Sequence, residues 1–219
     1  MAGGSGTRFG GPKHLATLGG RPVVSWSVDA CRSVADHVVL VVPAPPDGSD
    51  PVDASAADFG ADRVVPGGTS RSASVRAGLA AVPEEADVVV VHDAARPLAP
   101  ASLFTDVVAA VTPAGGADGA IPVLPVSDTV KRVAGDRVVT TVDRADLVVV
   151  QTPQAFRLPV LRRAHASGDE ATDDAGLLEA IGATVRTVPG SPSNLKITVP
   201  GDLELARALA GSGAPGGAR

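Results

Sequence analysis

The chain has 219 residues, a length that suits one α/β domain with a substantial core. Hydrophobic residues make up 44% of it but aromatic residues only 2%, which predicts a core of Val, Ala and Leu such as buried parallel strands have. The net charge of −5 excludes a broadly basic surface for nucleic acid, and the single cysteine, Cys31, excludes an intramolecular disulfide and a cysteine-based metal site. No signal-peptide pattern and no apolar run near about 18 residues occurs, so we expect a cytoplasmic protein without a membrane span.

Helices and Val-rich strands alternate in the first half of the chain. Helical spacing covers residues 22–34, and continuous apolar runs predict strands over 37–42, 63–65 and 87–91. Further helices are expected over 52–59 and 71–82, the second with Ser70 as a candidate N-cap, and another helix begins at Pro100.

The second half continues this alternation and adds a hairpin. A strand is expected over 119–124, where Pro122 favours an edge or irregular strand. Alternating residues over 129–133 and 137–141 flank a Gly-containing turn, which predicts a β-hairpin too polar to be core and therefore an arm. The remaining expected elements are strands over 147–150, 184–188 and 195–199 and helices over 159–166, 173–181 and 202–209.

This order of elements predicts an α/β fold with a mostly parallel sheet covered on both faces. We expect a single domain over 1–210, an arm at about 127–146, and a disordered Gly-rich tail over 211–219. In such sheets ligands bind beyond the carboxyl ends of the strands, where several polar segments of this chain occur.

The glycine-rich stretch from Gly3 to Gly11 contains Arg8 and is followed by Lys13. Glycine lets backbone N–H groups close around an anion, and the two cations suit phosphate oxygens. The stretch lacks the Gly-Lys-Ser/Thr of a Walker A loop, and Phe9 stands where a dinucleotide fingerprint has its third glycine. A flexible N-terminus is the alternative, but the placing of Arg8 and Lys13 favours a phosphate loop.

Charged side chains at expected strand ends are candidates for the chemistry. Asp93 follows four valines, where a carboxylate packs poorly but suits Mg²⁺, with a turn-capping aspartate as the alternative. Arg96 is either a phosphate contact or part of a surface ion pair. Lys196 lies between two apolar residues and is either snorkelling or paired, or it neutralises a nearby phosphate.

Glycines and hydroxyls supply further candidates. The Gly67–Thr69 segment with Ser74 either cradles a base or ribose or only forms a turn before a helix. Arg144 follows the hairpin, and Thr172 opens a helix as an anion contact or as a plain N-cap. No Gly-x-Ser-x-Gly or His-Glu-x-x-His motif occurs, so the set suits phosphoryl or nucleotidyl transfer.

Together these motifs resemble the 2-C-methyl-D-erythritol 4-phosphate cytidylyltransferase family, in order over nearly the whole chain. The segments that carry the resemblance are Ala2–Arg8, Lys13, Gly67-Gly68, His92–Pro97, Asp128–Arg132, Thr141–Arg144, Gln151–Gln154, Thr172-Asp173 and Asn194–Thr198. The His-Asp-Ala-Ala-Arg-Pro, Thr-Val-Asp-Arg and Thr-Pro-Gln motifs are specific to this group and its close relatives, whereas the glycine loop alone indicates only the wider nucleotidyltransferase superfamily.

The resemblance implies an enzyme that joins CTP to 2-C-methyl-D-erythritol 4-phosphate in non-mevalonate isoprenoid biosynthesis, giving 4-CDP-2-C-methyl-D-erythritol and pyrophosphate. The substrate phosphate would attack the CTP α-phosphorus in line, without a covalent enzyme intermediate. Matching positions imply that the catalytic residues are Arg8, Lys13, Asp93 and Lys196, with Asp93 also holding Mg²⁺. They also imply nucleotide contacts from Ala2, Gly3, Gly4, Gly6, Gly67, Gly68, Thr69 and Ser74, and contacts to the methylerythritol phosphate from Ala94, Arg96, Thr129, Arg144, Thr152 and Thr172.

Family members exchange the hairpin arm across a homodimer, which implies that Thr129 and Arg144 serve the partner's site. The family begins with an apolar strand before the glycine loop, and Met1 stands where that strand ends, so we expect the first strand to be missing. Thr69 stands where many relatives carry an acidic residue. Two alternatives stay open: a ribitol-5-phosphate cytidylyltransferase, and a catalytically silent nucleotide-binding module, which the full set of catalytic candidates disfavours.

Overall fold

The computed structural model describes residues 1–3, 9–44, 59–112 and 114–212. Its α-helices are α1 (Val23–Arg32), α2 (Arg71–Ala80), α3 (Ala101–Val111), α4 (Leu158–His165), α5 (Asp174–Ala180) and α6 (Pro200–Ser212). Its strands are β1 (Thr17–Leu18), β2 (Arg21–Pro22), β3 (Val39–Val42), β4 (Arg63–Pro66), β5 (Val88–Val91), β6 (Gly119–Pro125), β7 (Val130–Ala134), β8 (Arg137–Val142), β9 (Val148–Val150), β10 (Gln154–Arg157) and β11 (Val185–Pro189). None of the helices in these ranges combines the length and the apolar character needed to cross a membrane.

The expected α/β class with a mostly parallel sheet is confirmed. The central sheet has the order β11-β6-β10-β5, with β9 beside β6. Strands β5, β6 and β11 run in one direction, because β6 pairs parallel with β11 while β5 and β6 both pair antiparallel with β10. Strands β3 and β4 form a second parallel pair. The short strand β10 was not expected from the sequence, since its four residues follow β9 so closely.

Both faces of the central sheet are covered by helices. Phe156 of β10 is fully buried against Leu161 of α4 and Leu178 of α5, in a cluster that also contains β5 and α2. The adjacent residue, Ala155, belongs to the opposite cluster with Val107 of α3. Neighbouring residues of one strand point to opposite faces, so this short strand joins the two halves of the core.

Met1 and Ala2 lie between the two parallel parts of the fold. The Met1 nitrogen donates to the His92 carbonyl (2.7 Å), the Ala94 N–H donates to the Met1 carbonyl (3.0 Å), and the Ala2 N–H donates to the Val41 carbonyl (2.7 Å). A cavity of about 600 Å³ beside Met1 is lined by residues of β3 and β5. In the described ranges, β3 pairs only with β4 and β5 pairs only with β10. Met1 and Ala2 therefore lie where the first strand of the family, which we expected to be missing, would run.

The predicted hairpin arm is present. Strands β7 and β8 pair antiparallel with an irregularity between Arg132 and Val133, and Gly135 closes the turn with a φ of 60°. Three valines of the arm, Val133, Val138 and Val139, have more than half of their surface exposed. Within the described part of the chain, β7 and β8 pair only with each other, as an arm requires.

Pro122 was expected to favour an edge or an irregular strand. The edge alternative was wrong, because β6 has partner strands on both sides, but its pairing on one side changes from β10 to β9 at Pro122, as in an irregular strand. Pro122 lies inside β6, in register with Val188 of β11, and its carbonyl accepts from the Gln151 N–H at 2.8 Å. The N–H and C=O of one residue in an extended strand point to the same side. The donor that proline lacks would therefore face the break between β9 and β10, where no regular ladder needs it.

The strand expected over 195–199 was also wrong, since this segment has no regular secondary structure. Its alternating pattern arises because Ile197 is fully buried, with its N–H donating to the Ala95 carbonyl (2.8 Å), while Lys196 points to the other side. The helix expected over 52–59 lies outside the described residues except for Phe59. The tail was expected to begin at Gly211, but α6 extends to Ser212, and 213–219 lie outside the described residues.

We expect Phe156→Ala to lower the free energy of unfolding by about 3–5 kcal/mol, because it opens a cavity in the cluster between the central sheet, α4 and α5. Leu205→Ala on α6 is the matched control, because Leu205 is 51% exposed, and we expect it to change this free energy by less than about 0.5 kcal/mol. Urea unfolding followed by circular dichroism measures both values. Equal losses in the two variants would contradict this account of the core.

Candidate active site

The central feature of the site is an ion pair at the carboxyl end of β5. Asp93 follows this strand by two residues, and its Oδ2 lies 2.7 Å from Nζ of Lys196. Burial by itself raises the pKa of Asp93, but attraction to Lys196 and the hydrogen bond with it outweigh burial and hold that pKa well below its usual range. Asp93 is therefore an ionised carboxylate, and both side chains retain exposed surface.

Lys13 is hydrogen-bonded to the segment that contains Lys196. It begins the short 3₁₀ turn after the glycine-rich stretch, and its Nζ donates to the Ile197 carbonyl at 3.1 Å. The fold thus brings together two cations from opposite ends of the sequence. Three other predicted site residues, Arg8, Gly4 and Gly6, lie outside the described residues.

Thr152 is held against Asp93 by a buried histidine. The Asp93 N–H donates to Oγ1 of Thr152 (3.0 Å), which also lies 3.2 Å from Nδ1 of His92. Burial lowers the pKa of His92 to about 3, so its ring is neutral near pH 7. Because Nε2 of His92 lies 3.2 Å from the Arg96 carbonyl, an acceptor, Nε2 carries the hydrogen and Nδ1 accepts from the Thr152 hydroxyl.

Arg96 and Asn194 extend this network to the Lys196 segment. Arg96 is only 9% exposed, and its Nη1 donates to the Asn194 carbonyl at 2.7 Å. The fully buried Asn194 side chain donates to the Thr152 carbonyl (2.9 Å) and to Oε1 of Gln151 (3.2 Å). The surface ion pair considered for Arg96 is therefore wrong: its guanidinium fastens two segments of the site together.

The Gly67–Thr69 loop is shaped around one hydroxyl. Oγ of Ser74 accepts from the Gly68 N–H (3.1 Å) and donates to the Ser70 carbonyl (2.8 Å). A Cβ atom would lie only 2.9 Å from this oxygen at Gly67, which leaves no room for a side chain there, and 3.3 Å from it at Gly3, which leaves little. Ser70 caps α2 as expected, accepting from the Ala73 N–H, and Thr69 is exposed.

Thr172 is not the N-cap of the following helix. Asp173 caps α5 instead, accepting from the Gly176 N–H (3.1 Å) and from the side-chain amide of Gln154 (3.0 Å). The exposed Thr172 hydroxyl is therefore not needed for the cap that sequence reasoning considered. Ala94, by contrast, is buried, and its backbone N–H and C=O are engaged by Met1 and Ser27.

Thr129 and Arg144 stand apart from this assembly. Both are exposed at the base of the arm, where the Arg144 guanidinium donates to the Val126 and Ser127 carbonyls. Among the described residues, no hydrogen bond or ion pair joins either residue to Asp93, Thr152 or the Lys196 segment.

Sequence reasoning assigned no role to His92 and noted Asn194 only as part of a segment. Both are buried, and their side chains form hydrogen bonds that join different loops. Their signal in the sequence was weak: each is a polar residue beside an apolar run, a position that many surface residues share. What identifies them is the partner across the fold, which the sequence does not show.

Comparisons with known proteins agree with the motifs. A family model described as 2-C-methyl-D-erythritol 4-phosphate cytidylyltransferase matches residues 1–212. Proteins of that name from Frankia casuarinae and Saccharopolyspora erythraea are 49% and 48% identical to this chain; the alignments cover 95% of it in each case, and 78% and 96% of the relatives. A crystal structure of that name from Thermus thermophilus superposes with a TM-score of 0.77 at 38% identity, covering 93% of this chain and 95% of that one.

These likenesses run from the glycine-rich stretch through the arm to α6, so they include every segment of the site. They do not favour the ribitol-phosphate enzyme or the silent nucleotide-binding module that the sequence left open. The chain belongs to the 2-C-methyl-D-erythritol 4-phosphate cytidylyltransferase family and is a nucleotidyltransferase.

Proposed function

We propose that this chain transfers the cytidylyl group of CTP to 2-C-methyl-D-erythritol 4-phosphate, in the cytoplasm. The observation that carries the proposal is the ionised Asp93 held against Lys196 at the carboxyl end of β5, with Lys13 fastened to the same segment. Ligands of such sheets bind at this edge. The names of the relatives supply the identity of the two substrates.

In the proposed reaction, an oxygen of the methylerythritol phosphate attacks the α-phosphorus of CTP. The new P–O bond forms as the bond between the α-phosphorus and the bridging oxygen breaks, and pyrophosphate leaves with that electron pair. Negative charge builds up around the α-phosphorus and on the leaving group, so cations such as Lys13 and Lys196 stabilise the transition state. No nucleophile from the protein is required.

Asp93 is the residue that would hold Mg²⁺. It is ionised and its side chain is 15% exposed, and Mg²⁺ prefers one or two carboxylates together with substrate phosphate oxygens. In the described ranges no cluster of three or more His, Cys, Asp or Glu side chains is arranged for a metal, so the other ligands would be phosphate oxygens and water. When bound, the ion neutralises charge on the triphosphate.

The arm supports a homodimer as part of the same proposal. Its exposed valines, Val133, Val138 and Val139, are followed by exposed Val148 and Val149 of β9. Val133 and Val138 are cross-strand partners on one face of the arm, and exposed apolar surface on a projecting element is typical of an interface. In a dimer with exchanged arms, Thr129 and Arg144 would reach the methylerythritol phosphate in the partner's site, which accounts for their separation from Asp93 in one protomer.

Replacing Lys196 tests its role in catalysis. We expect Lys196→Met to lower kcat by about 10²–10³-fold, because one preorganised cation at the developing charge is lost. The control is Arg207→Met, which removes an exposed cation paired with Glu204 on α6 and should leave kcat within about twofold. Steady-state pyrophosphate release measures both, and a kcat of Lys196→Met close to that of the unmodified chain would contradict the assignment.

The choice of alcohol is tested by the same assay with two acceptors. With CTP and Mg²⁺ we expect pyrophosphate release with methylerythritol phosphate and none above background with ribitol 5-phosphate, as the relatives' names indicate. A higher kcat/KM for ribitol 5-phosphate would change the substrate while keeping the chemistry. Silence with both acceptors would contradict the proposed function.

Mixed dimers test the exchange of arms. We expect Arg144→Ala and Lys196→Met each to be nearly inactive, and their co-expressed mixture to recover up to about a quarter of the original activity. This recovery arises because half of the dimers are mixed, and each mixed dimer has one site with both changes and one with neither. If each arm served its own site, every site would carry one change and the mixture would stay inactive.

A further inference from the structure

A buried charged cluster lies outside the residues assigned so far. Asp174, the first residue of α5, has no exposed surface, and its Oδ2 accepts from Nη2 of Arg71 at 2.8 Å. Its other oxygen, Oδ1, lies 3.0 Å from Nε2 of His165, the last residue of α4. Burial by itself raises the pKa of Asp174, but the hydrogen bond from His165 and the charge of Arg71 outweigh burial and lower it. The carboxylate is thus charged inside the protein.

The cluster joins the two segments proposed to bind the two substrates. Arg71 is the first residue of α2 and follows the nucleotide loop at Gly67–Thr69 directly after the cap Ser70. Asp174 directly follows Thr172 and Asp173. A second bond, from the Ala171 N–H to the Ser72 hydroxyl (3.2 Å), joins the same two segments.

Stability alone does not explain a cluster of this kind. Burying an ionised carboxylate carries a desolvation cost, and well-packed apolar groups often replace buried ion pairs without loss. The second terminal nitrogen of Arg71, Nη1, is buried and has no hydrogen-bond partner in the described part of the chain. The charge of Arg71 also contributes to lowering the pKa of Asp93.

We propose that Asp174 is a positioning residue that, through Arg71, holds the nucleotide loop and the Thr172 segment at a fixed separation, so that both substrates bind in register for the in-line attack. The proposal rests on the proposed function for the identity of the substrates. Its structural content is that one buried carboxylate couples two binding segments that are 103 residues apart in the chain.

Asp174→Asn tests this coupling, since it removes the charge and keeps the shape. We expect KM for CTP and KM for methylerythritol phosphate each to rise about tenfold or more, with kcat changed less than about threefold, because Asp93 and Lys196 stay in place. Glu204→Gln is the control. It removes the charge of a carboxylate in an exposed ion pair, Glu204–Arg207 (2.6 Å) on α6, so we expect changes within about twofold.

Binding of CTP measured by calorimetry gives a readout that does not need turnover. We expect Asp174→Asn to weaken CTP binding by about tenfold or more and Glu204→Gln to leave it unchanged, although neither side chain is placed in contact with CTP. If the unmodified chain binds CTP without turning over methylerythritol phosphate, the proposed function fails while the coupling is still measured. Equal CTP affinity in Asp174→Asn and the unmodified chain overturns the positioning role.

A purely structural role has a different signature. Circular dichroism reports the folded fraction, and a fall in kcat that matches a loss of folded protein, with both KM values unchanged, would overturn the proposal. If Asp174→Asn does not fold, Arg71→Gln removes the other member of the ion pair, whose side chain is partly exposed. We also expect the double variant to lose no more than about the larger single loss; additive losses would mean that Arg71 acts independently of Asp174, which contradicts the coupling.

Discussion

The Asp93–Lys196 ion pair is the interaction on which the rest of the site depends. It joins the end of the valine strand β5 to a segment that enters the site from the far end of the chain. An irregular segment such as 194–198 has no ladder to hold it, so its position depends on side chains. The buried Arg96 side chain donates a hydrogen bond to the Asn194 carbonyl, and the Asn194 side chain donates one to the Thr152 carbonyl. The Lys13 ammonium adds a hydrogen bond to the Ile197 carbonyl.

Around this pair, hydrogen bonds join buried polar groups of several loops, although Nε of Arg96 and Oδ1 of Asn194 have no hydrogen-bond partner in the described part of the chain. The His92 ring forms hydrogen bonds with the Thr152 hydroxyl and the Arg96 carbonyl. The Asn194 side-chain amide donates hydrogen bonds to the Gln151 side chain and to the Thr152 carbonyl. A buried polar group without partners is costly, so such a network favours one arrangement of the loops over the alternatives. The consequence is a rigid edge of the sheet, which suits chemistry that depends on positioning and charge stabilisation.

Close approach of backbone is the second constraint on the site. The Ser74 hydroxyl leaves no room for a Cβ at Gly67 and little at Gly3, so the nucleotide loop and the start of the chain pack around a single oxygen. The same helix carries Arg71 at its start, whose partner Asp174 belongs to the segment on the other side of the site. The loop that is proposed to bind CTP is thus packed around the Ser74 hydroxyl and, in our proposal, held in place by the buried Asp174 through Arg71.

Local patterns of the sequence were enough for much of this protein. The valine runs predicted β3 and β5, alternation around Gly135 predicted the arm, and Ser70 was expected as a cap, because each depends on residues close together in the chain. Asp93 and Lys196 were candidates because a charge at the end of, or inside, an apolar run needs a reason, and Lys13 was one because it follows the glycine-rich stretch that contains Arg8. The order of the motifs along the chain was sufficient to identify the family.

Only the tertiary structure decided which distant groups meet. Alternation at 195–199 is typical of a strand, yet the pattern there reflects one side chain in the core and one paired with Asp93. The roles of His92, Arg96 and Asp173 depend on partners in other loops, and the four residues of β10 were too few for a periodic signal. The sequence by itself determined which residues are available for chemistry and which stretches fold locally, whereas burial and long-range hydrogen bonds decided which of those residues share a site.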